Sequence, residues 1–274
     1  MSYFSDQEMA RRLANLRRAM DEQSVEAVLI TSVHNTLYYS NFWMIPWGRE
    51  QGLVIPRDGE PALIAPRIEY DRPAKMVGDG NCFSDIRIYA DNASAIDGWV
   101  GLARQVLRDR GITSGRIGIE EDNVSITLHK ALCAALPDLE FAEMGYAMMC
   151  EQMLKSDEEI TLIRDGAEIC DLGAQAFVDA VRDGVTEVQV ARASVTAMEE
   201  EICRRFPGHE CDGTFCWAQS GPENTKVAHG LNTDRQIHSG DLLSLNVFPM
   251  ILGYYHLLER SLVFGPISAE VQKY

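Results

Sequence analysis

Asp241-Leu-Leu-Ser-Leu-Asn-Val-Phe248 and Gly253-Tyr-Tyr-His-Leu-Leu-Glu-Arg-Ser-Leu-Val-Phe264, separated only by Pro249 to Leu252, are the stretch on which the reading of the fold turns. Side chains of a strand alternate between two faces, so Tyr255, Leu257 and Glu259 fall on one side, and Tyr254, His256, Leu258 and Arg260 on the other. On the preceding strand Ser244, Asn246 and Phe248 share a face. If the two strands pair as a hairpin with those faces together, Asn246 and Glu259 both point into whatever the sheet encloses. Glu259 then stands in an apolar wall of Leu and Tyr, and a carboxylate there needs a cation. A structural ion pair with a neighbouring Arg and a grip on a cationic ligand both meet that need.

Reading outward from this hairpin, Thr214 to Gln219 is a further strand. Two long helices precede it. One is capped by Ser156-Asp-Glu-Glu159, keeps helical period through Ile160, Ile163, Ala167, Cys170 and Phe177, and ends at Asp183-Gly184. The next is capped by Thr186 with Gln189 and runs to about Arg205. Helices followed by strands make an α+β unit. Before Met153 the texture differs. A helix over 6–22, introduced by a Ser5/Glu8 capping box, leads into a strand at Glu26 to Thr31. A hairpin follows at 52–66, turning on Asp58-Gly59. Helix then alternates with strand through Ala95 to Asp109, Arg116 to Glu120, Ser125 to Ala135 and Leu139 to Ala142. That alternation predicts a layered α/β domain over 1–153, joined to the α+β domain over 154–274.

Composition narrows the function. Among 274 residues, 41 Asp and Glu against 25 Lys and Arg give a formal charge of −16. A field of that sign repels phosphate backbones and anionic lipid heads, so neither nucleic acid nor a membrane surface is an expected partner. Seven cysteines, an odd number without a CxxC pair, fit reduced thiols in a cytoplasmic protein. No apolar run approaches the ~20 residues that span a bilayer, and the first residues lack a basic-then-apolar leader pattern.

Three further places could carry chemistry. His229 lies in Lys226-Val-Ala-His-Gly-Leu-Asn232, a polar, glycine-flanked loop, where an imidazole is either simply solvated or a proton carrier near neutral pH. Trp47-Gly-Arg49 lies in another loop, after the aromatic run Tyr38-Tyr39 and Phe42-Trp43. A guanidinium beside an aromatic ring suits a small carboxylate, and equally an interface or the surface. Tyr255 is either a lining residue on the face of Glu259 or a packed core tyrosine.

Leu243 to Arg260, preceded by Ser239-Gly-Asp241, resembles the creatinase family of the pita-bread clan, which also holds methionine aminopeptidases and prolidases. The likeness recurs at Thr31 to Ser40, Trp47-Gly-Arg49, Arg116 to Glu120, Leu154 to Glu159 and Ala228-His229. It implies a creatinase/prolidase-type N-terminal α/β domain and a pita-bread α+β domain. The family continues past the position of Tyr274 and draws further His, Glu and Arg residues from that segment, so the resemblance implies a C-terminally truncated chain and an incomplete pita-bread domain. It also implies cleavage of creatine, a guanidino acid, to sarcosine and urea. His229 stands where the family has its catalytic histidine, and Glu259 where a carboxylate holds the guanidinium. Trp47 and Arg49 match the residues that close the site from the neighbouring subunit of a homodimer, the Arg holding the substrate carboxylate. Trp47 replaces a Phe there, which narrows the pocket. Metal-dependent clan members carry Asp at the positions of Asn246 and Leu257; a neutral amide and an isobutyl group cannot hold two hard divalent ions, so no metal or other cofactor is expected. A metal-dependent aminopeptidase or prolidase-like peptidase, and a catalytically inactive binding protein, are the competing expectations.

Overall fold

The structure is a computed structural model and describes residues 3–44, 49–72, 75, 83–91, 94–267, 269 and 271–273. The chain forms two compact units, Met1–Glu158 and Glu159–Tyr274. The division lies a few residues beyond the boundary expected at Met153.

In the first unit, α1 (Asp6–Gln23), β1 (Val25–Ile30), α2 (Val33–Ser40), β2 (Gly52–Pro56), β3 (Ala62–Pro66), β4 (Asp85–Tyr89), α3 (Ala95–Asp109), β5 (Gly115–Ile119), α4 (Ile126–Ala135), β6 (Leu139–Glu143) and α5 (Gly145–Met153) follow one another. The strands build a mixed six-stranded sheet in the order β4-β3-β2-β1-β5-β6. The pairs β1/β5, β5/β6 and β3/β4 are parallel, and the hairpin β2/β3 is antiparallel. Alternation along β1 feeds two cores. Val28 and Ile30 pack with Leu16, Met20 and Tyr39, whereas Ala27 and Leu29 pack with Trp99, Leu107 and Leu128. Helices therefore cover both faces of the sheet, as the alternating sequence predicts.

Three elements of this unit were not anticipated from sequence: α2, β4 and α5. The cap of α1 also differs from expectation. Ser5 Oγ accepts from Glu8 N–H, but the Glu8 carboxylate binds Arg11 and Arg12. Ser5 N–H donates instead to Glu158, at 2.9 Å. The long-range carboxylate replaces the local one because two guanidinium groups compete for Glu8.

The second unit holds α6 (Asp157–Ala180), α7 (Glu187–Arg205), β7 (Phe215–Ser220), the short α8 (Gly221–Asn224), β8 (Leu242–Phe248), β9 (Met250–Ile251), β10 (Tyr254–Tyr255) and β11 (Leu258–Val263). The capping box of Thr186 and Gln189 at the start of α7 is complete. Strands β11, β8 and β7 form an antiparallel sheet in that order. Its buried face is Cys216, Ala218, Leu243, Leu245 and Val247. The expected single hairpin is split in two. Leu252 and Gly253, at φ 50° and 84°, make a two-residue turn that pairs β9 with β10. The chain then bends at His256-Leu257 before β11 pairs with β8. Among the described residues no helix is long and apolar enough to cross a membrane.

Candidate functional site

Strand register fixes what lies on the other face of the three-stranded sheet. Asn246 is opposite Trp217 on one side and Glu259 on the other, so these three make one row. Phe215 faces Phe248 in the row on one side of it, and Gln219, Ser244 and Ser261 make the row on the other side. The pairing of Asn246 with Glu259 is the coincidence of faces that the sequence alternation left conditional.

Aromatic rings floor one end. Phe215 stacks on Phe248 with centroids 4.3 Å apart, and Trp217 stands against both at 5.3 and 5.0 Å. Tyr255 approaches Phe215 at 6.1 Å. It is 54% exposed, so of the two alternatives for Tyr255 a packed core residue does not hold.

His229 lies edge-on to Trp217, with ring centroids 5.7 Å apart and planes at 66°. Its loop is pinned from below. Gln219, 4% exposed, donates from Nε2 to the carbonyls of Val227, at 2.6 Å, and Gly230, at 3.2 Å, on either side of the histidine. Gly230 lies close over that amide: a Cβ there would stand 2.8 Å from the same Nε2, so a larger residue would have to displace it. Asn232 closes the loop onto β7, accepting from Ala218 N–H at 2.6 Å and donating to Cys216 O at 2.8 Å. Sequence reasoning passed over Trp217, Gln219 and Glu187, which anchors the ends of the same loop. Trp217 and Gln219 were legible as same-face residues of one strand; their link to His229 was not.

Glu259 departs from expectation. Rather than an apolar wall, its surroundings are solvent: Glu259 is exposed, and Leu257 beside it is 58% exposed. The reason is its place on β11, an edge strand of the sheet. Arg260 does not neutralise it, since that guanidinium donates to the backbone carbonyl of Glu259 at 2.7 Å. Among the described residues the Glu259 carboxylate has no ion-pair partner.

Arg49 belongs to the first unit, where it pairs with Asp91 at 2.5 Å and is 40% exposed. A carboxylate is thus its partner there. Trp47 lies outside the described residues. The donors for a divalent metal pair do not fit this face. Asn246 is a neutral amide whose Nδ2 donates to Trp217 O and Ser244 Oγ, both at 3.2 Å, and Leu257 carries no donor atom. Among the described residues no three His, Cys, Asp or Glu side chains converge to hold an ion.

A flat cation resting on the aromatic rings would meet a carboxylate at one end of the central row and an imidazole near the other, across two strand spacings of roughly 10 Å.

Comparison with known proteins gives this architecture its relatives. Residues 12–150 match the creatinase/prolidase N-terminal domain, and residues 161–274 match metallopeptidase family M24. The chain is 40% identical over 265 residues to the creatinase of Bacillus sp. strain B-0618, a match covering 97% of this chain and 62% of that protein. It is 25% identical to the putative dipeptidase YkvY of Bacillus subtilis strain 168, covering 94% of this chain and 67% of the relative. Recombinant prolidase from Thermococcus sibiricus superposes with a TM-score of 0.77 at 20% identity, over 100% of this chain and 68% of that one. The chain therefore spans less than two thirds of the length of the creatinase it matches.

Proposed function

The chain belongs to the creatinase/prolidase family, a creatinase/prolidase N-terminal domain followed by a pita-bread M24 domain, and from that membership we propose that it serves metal-independent hydrolysis of a guanidino acid, with creatine as substrate and sarcosine and urea as products. The observation that carries the reading is the row Trp217–Asn246–Glu259 with His229 set against Trp217.

The chemistry makes definite demands. The guanidinium carbon is deactivated by resonance, so water must be deprotonated as it attacks and the departing nitrogen must be protonated as it leaves. One C–O bond forms, the C–N bond to the sarcosine nitrogen breaks, and the proton taken from water returns on that nitrogen. His229 is the residue assigned to carry it. Glu259, without a competing cation among the described residues, accepts paired N–H bonds from the guanidinium and orients it. The aromatic floor favours the planar cation and excludes water beneath it. Tyr255 lines the same face. Arg49, with Trp47, supplies the clamp for the substrate carboxylate, contributed by the second copy in a homodimer. Asn246 in place of a carboxylate supports a reaction run without a metal pair.

The likeness to a dipeptidase and a prolidase favours one second reading, metal-dependent cleavage of a dipeptide. A single experiment separates the two. Urea release from creatine is followed with and without a strong chelator, beside hydrolysis of an Xaa-Pro dipeptide with added Mn²⁺. The proposal expects urea release indifferent to the chelator and lowered at least ~100-fold in His229→Ala. Dipeptide cleavage that depends on metal, or urea release unchanged in His229→Ala, overturns it.

A further inference from the structure

Glu187, the first residue of α7, is fully buried, and it has no place in the proton and guanidinium chemistry described above. Its two carboxylate oxygens face opposite ends of the His229 loop. Oε1 accepts from Ser220 N–H at 2.8 Å, Ser220 Oγ at 2.7 Å and Asn224 Nδ2 at 2.9 Å. Oε2 accepts from Thr233 N–H at 2.9 Å and Thr233 Oγ1 at 2.5 Å. Ser220 is where the chain leaves β7, and Thr233 is where it comes back, so one side chain fixes the span of everything between them.

The backbone continues the same attachment. Glu187 N–H donates to Arg235 O at 3.1 Å, and Val188 N–H to Thr233 O at 3.2 Å. Burial pushes the Glu187 carboxyl up, but its hydrogen bonds from Thr233, Asn224 and Ser220 outweigh burial and hold it below the ordinary value. It is therefore ionised at neutral pH, and every partner is a donor. A buried carboxylate is a costly way to fill space, since an apolar side chain of similar volume packs as well without desolvating a charge. What the charge provides is direction: five donors on two oxygens set both ends of the loop at once, while Gln219 sets its middle at Val227 and Gly230.

We propose that Glu187 is the positioning residue of the His229 loop, clasping its two ends so that the imidazole is held against Trp217. The inference rests on the reading of His229 as the proton carrier, and it is tested by a signal that does not need turnover. In the proton NMR spectrum of the full chain, the His229 ring signals are those lost in His229→Ala. Their ring-current shift from Trp217 is defined by Trp217→Leu. In Glu187→Gln they should move toward the positions seen in Trp217→Leu. Glu159→Gln removes another buried carboxylate of the same unit, one bonded to Tyr254 Oη at 2.6 Å, and should leave them in place. Where urea release is measurable, kcat in Glu187→Gln should fall about 10- to 100-fold with KM little changed, the mark of a displaced catalytic group. A folded Glu187→Gln protein with wild-type His229 shifts overturns the clasp. If that variant does not fold, Ser220→Ala and Thr233→Val remove the hydroxyl donor at each end while keeping the backbone N–H bonds, and unmoved shifts in the double variant overturn it equally. Displaced His229 signals in a protein that releases no urea uphold the clasp and overturn the proposed reaction, so the two failures are distinguishable.

Discussion

His256 shows how a single residue can set the pH response of the second unit. It is 8% exposed, and among the described residues neither ring nitrogen has a hydrogen-bond partner. The ring lies on Gly166 of α6, where a Cβ would stand 2.2 Å from it. Burial holds the His256 pKa below its ordinary value; the Pro249 and Tyr254 carbonyls lie near enough to oppose this only in part. The unfolded chain therefore binds a proton at this position more readily than the folded one. Stability from the neutral imidazole is fully present above the unfolded value of ~6.5 and is lost as pH falls below it. Denaturation midpoints measured from neutral to mildly acid pH should fall in the wild type. In His256→Leu that limb should flatten, and parallel curves for the two proteins would refute the assignment. Strand alternation placed His256 opposite Glu259 in the sequence. The glycine beneath the ring, on a helix far away in the chain, gave no local sign.

Elements with a strong period were legible, and those held by distant partners were not. The helices α1, α3, α6 and α7 carry regular apolar stripes, three of them (α1, α3 and α7) behind Ser or Thr caps, and β1, β2, β3, β7 and β8 are short, largely apolar runs. By contrast, α2 is Val-His-Asn-Thr-Leu-Tyr-Tyr-Ser, a weak helix former. Its start is fixed from β5, because Glu120, 1% exposed, accepts from Thr31 N–H at 2.7 Å, Ser32 N–H at 2.9 Å, Ser32 Oγ and Asn35 Nδ2 at 2.7 Å. A carboxylate at a helix N-terminus also complements the helix dipole. β4 escaped notice for a related reason. Asp85 and Arg87 interrupt its apolar pattern, and they are settled by each other and by Arg110 and Asp109 from elsewhere in the unit. If α2 depends on Glu120 in this way, Glu120→Ala should cost about 3 kcal/mol, since several charge-assisted bonds are lost at a buried position. A urea denaturation midpoint indistinguishable from wild type would show that α2 stands without it. The candidate site follows the same division. The row of Asn246 and Glu259 was legible from alternation, whereas the exposure of Glu259 and the supports beneath His229 depend on tertiary placement.

At the scale of the molecule, each unit buries a core of its own. Leu16, Met20, Tyr39 and Trp99 are buried in the first, and Leu162, Ile169, Phe177, Met198 and Val247 in the second. A unit with a separate core and its own cooperative hydrogen bonding unfolds as a unit, so the chain should melt in two transitions rather than one. Substitutions then report which transition belongs to which core. Glu120→Ala should lower the transition of the first unit and leave the other in place. Thr186→Ala removes the hydroxyl that accepts from Gln189 N–H at the start of α7, a loss of about 1 kcal/mol. It should lower only the second unit's transition, by about 2–8 °C. Scanning calorimetry of the three proteins decides the matter. A single endotherm shifted by both substitutions would mean that the two cores melt as one, and a rise in salt concentration should then move that endotherm as a whole, because a net charge of −16 is carried by the entire chain.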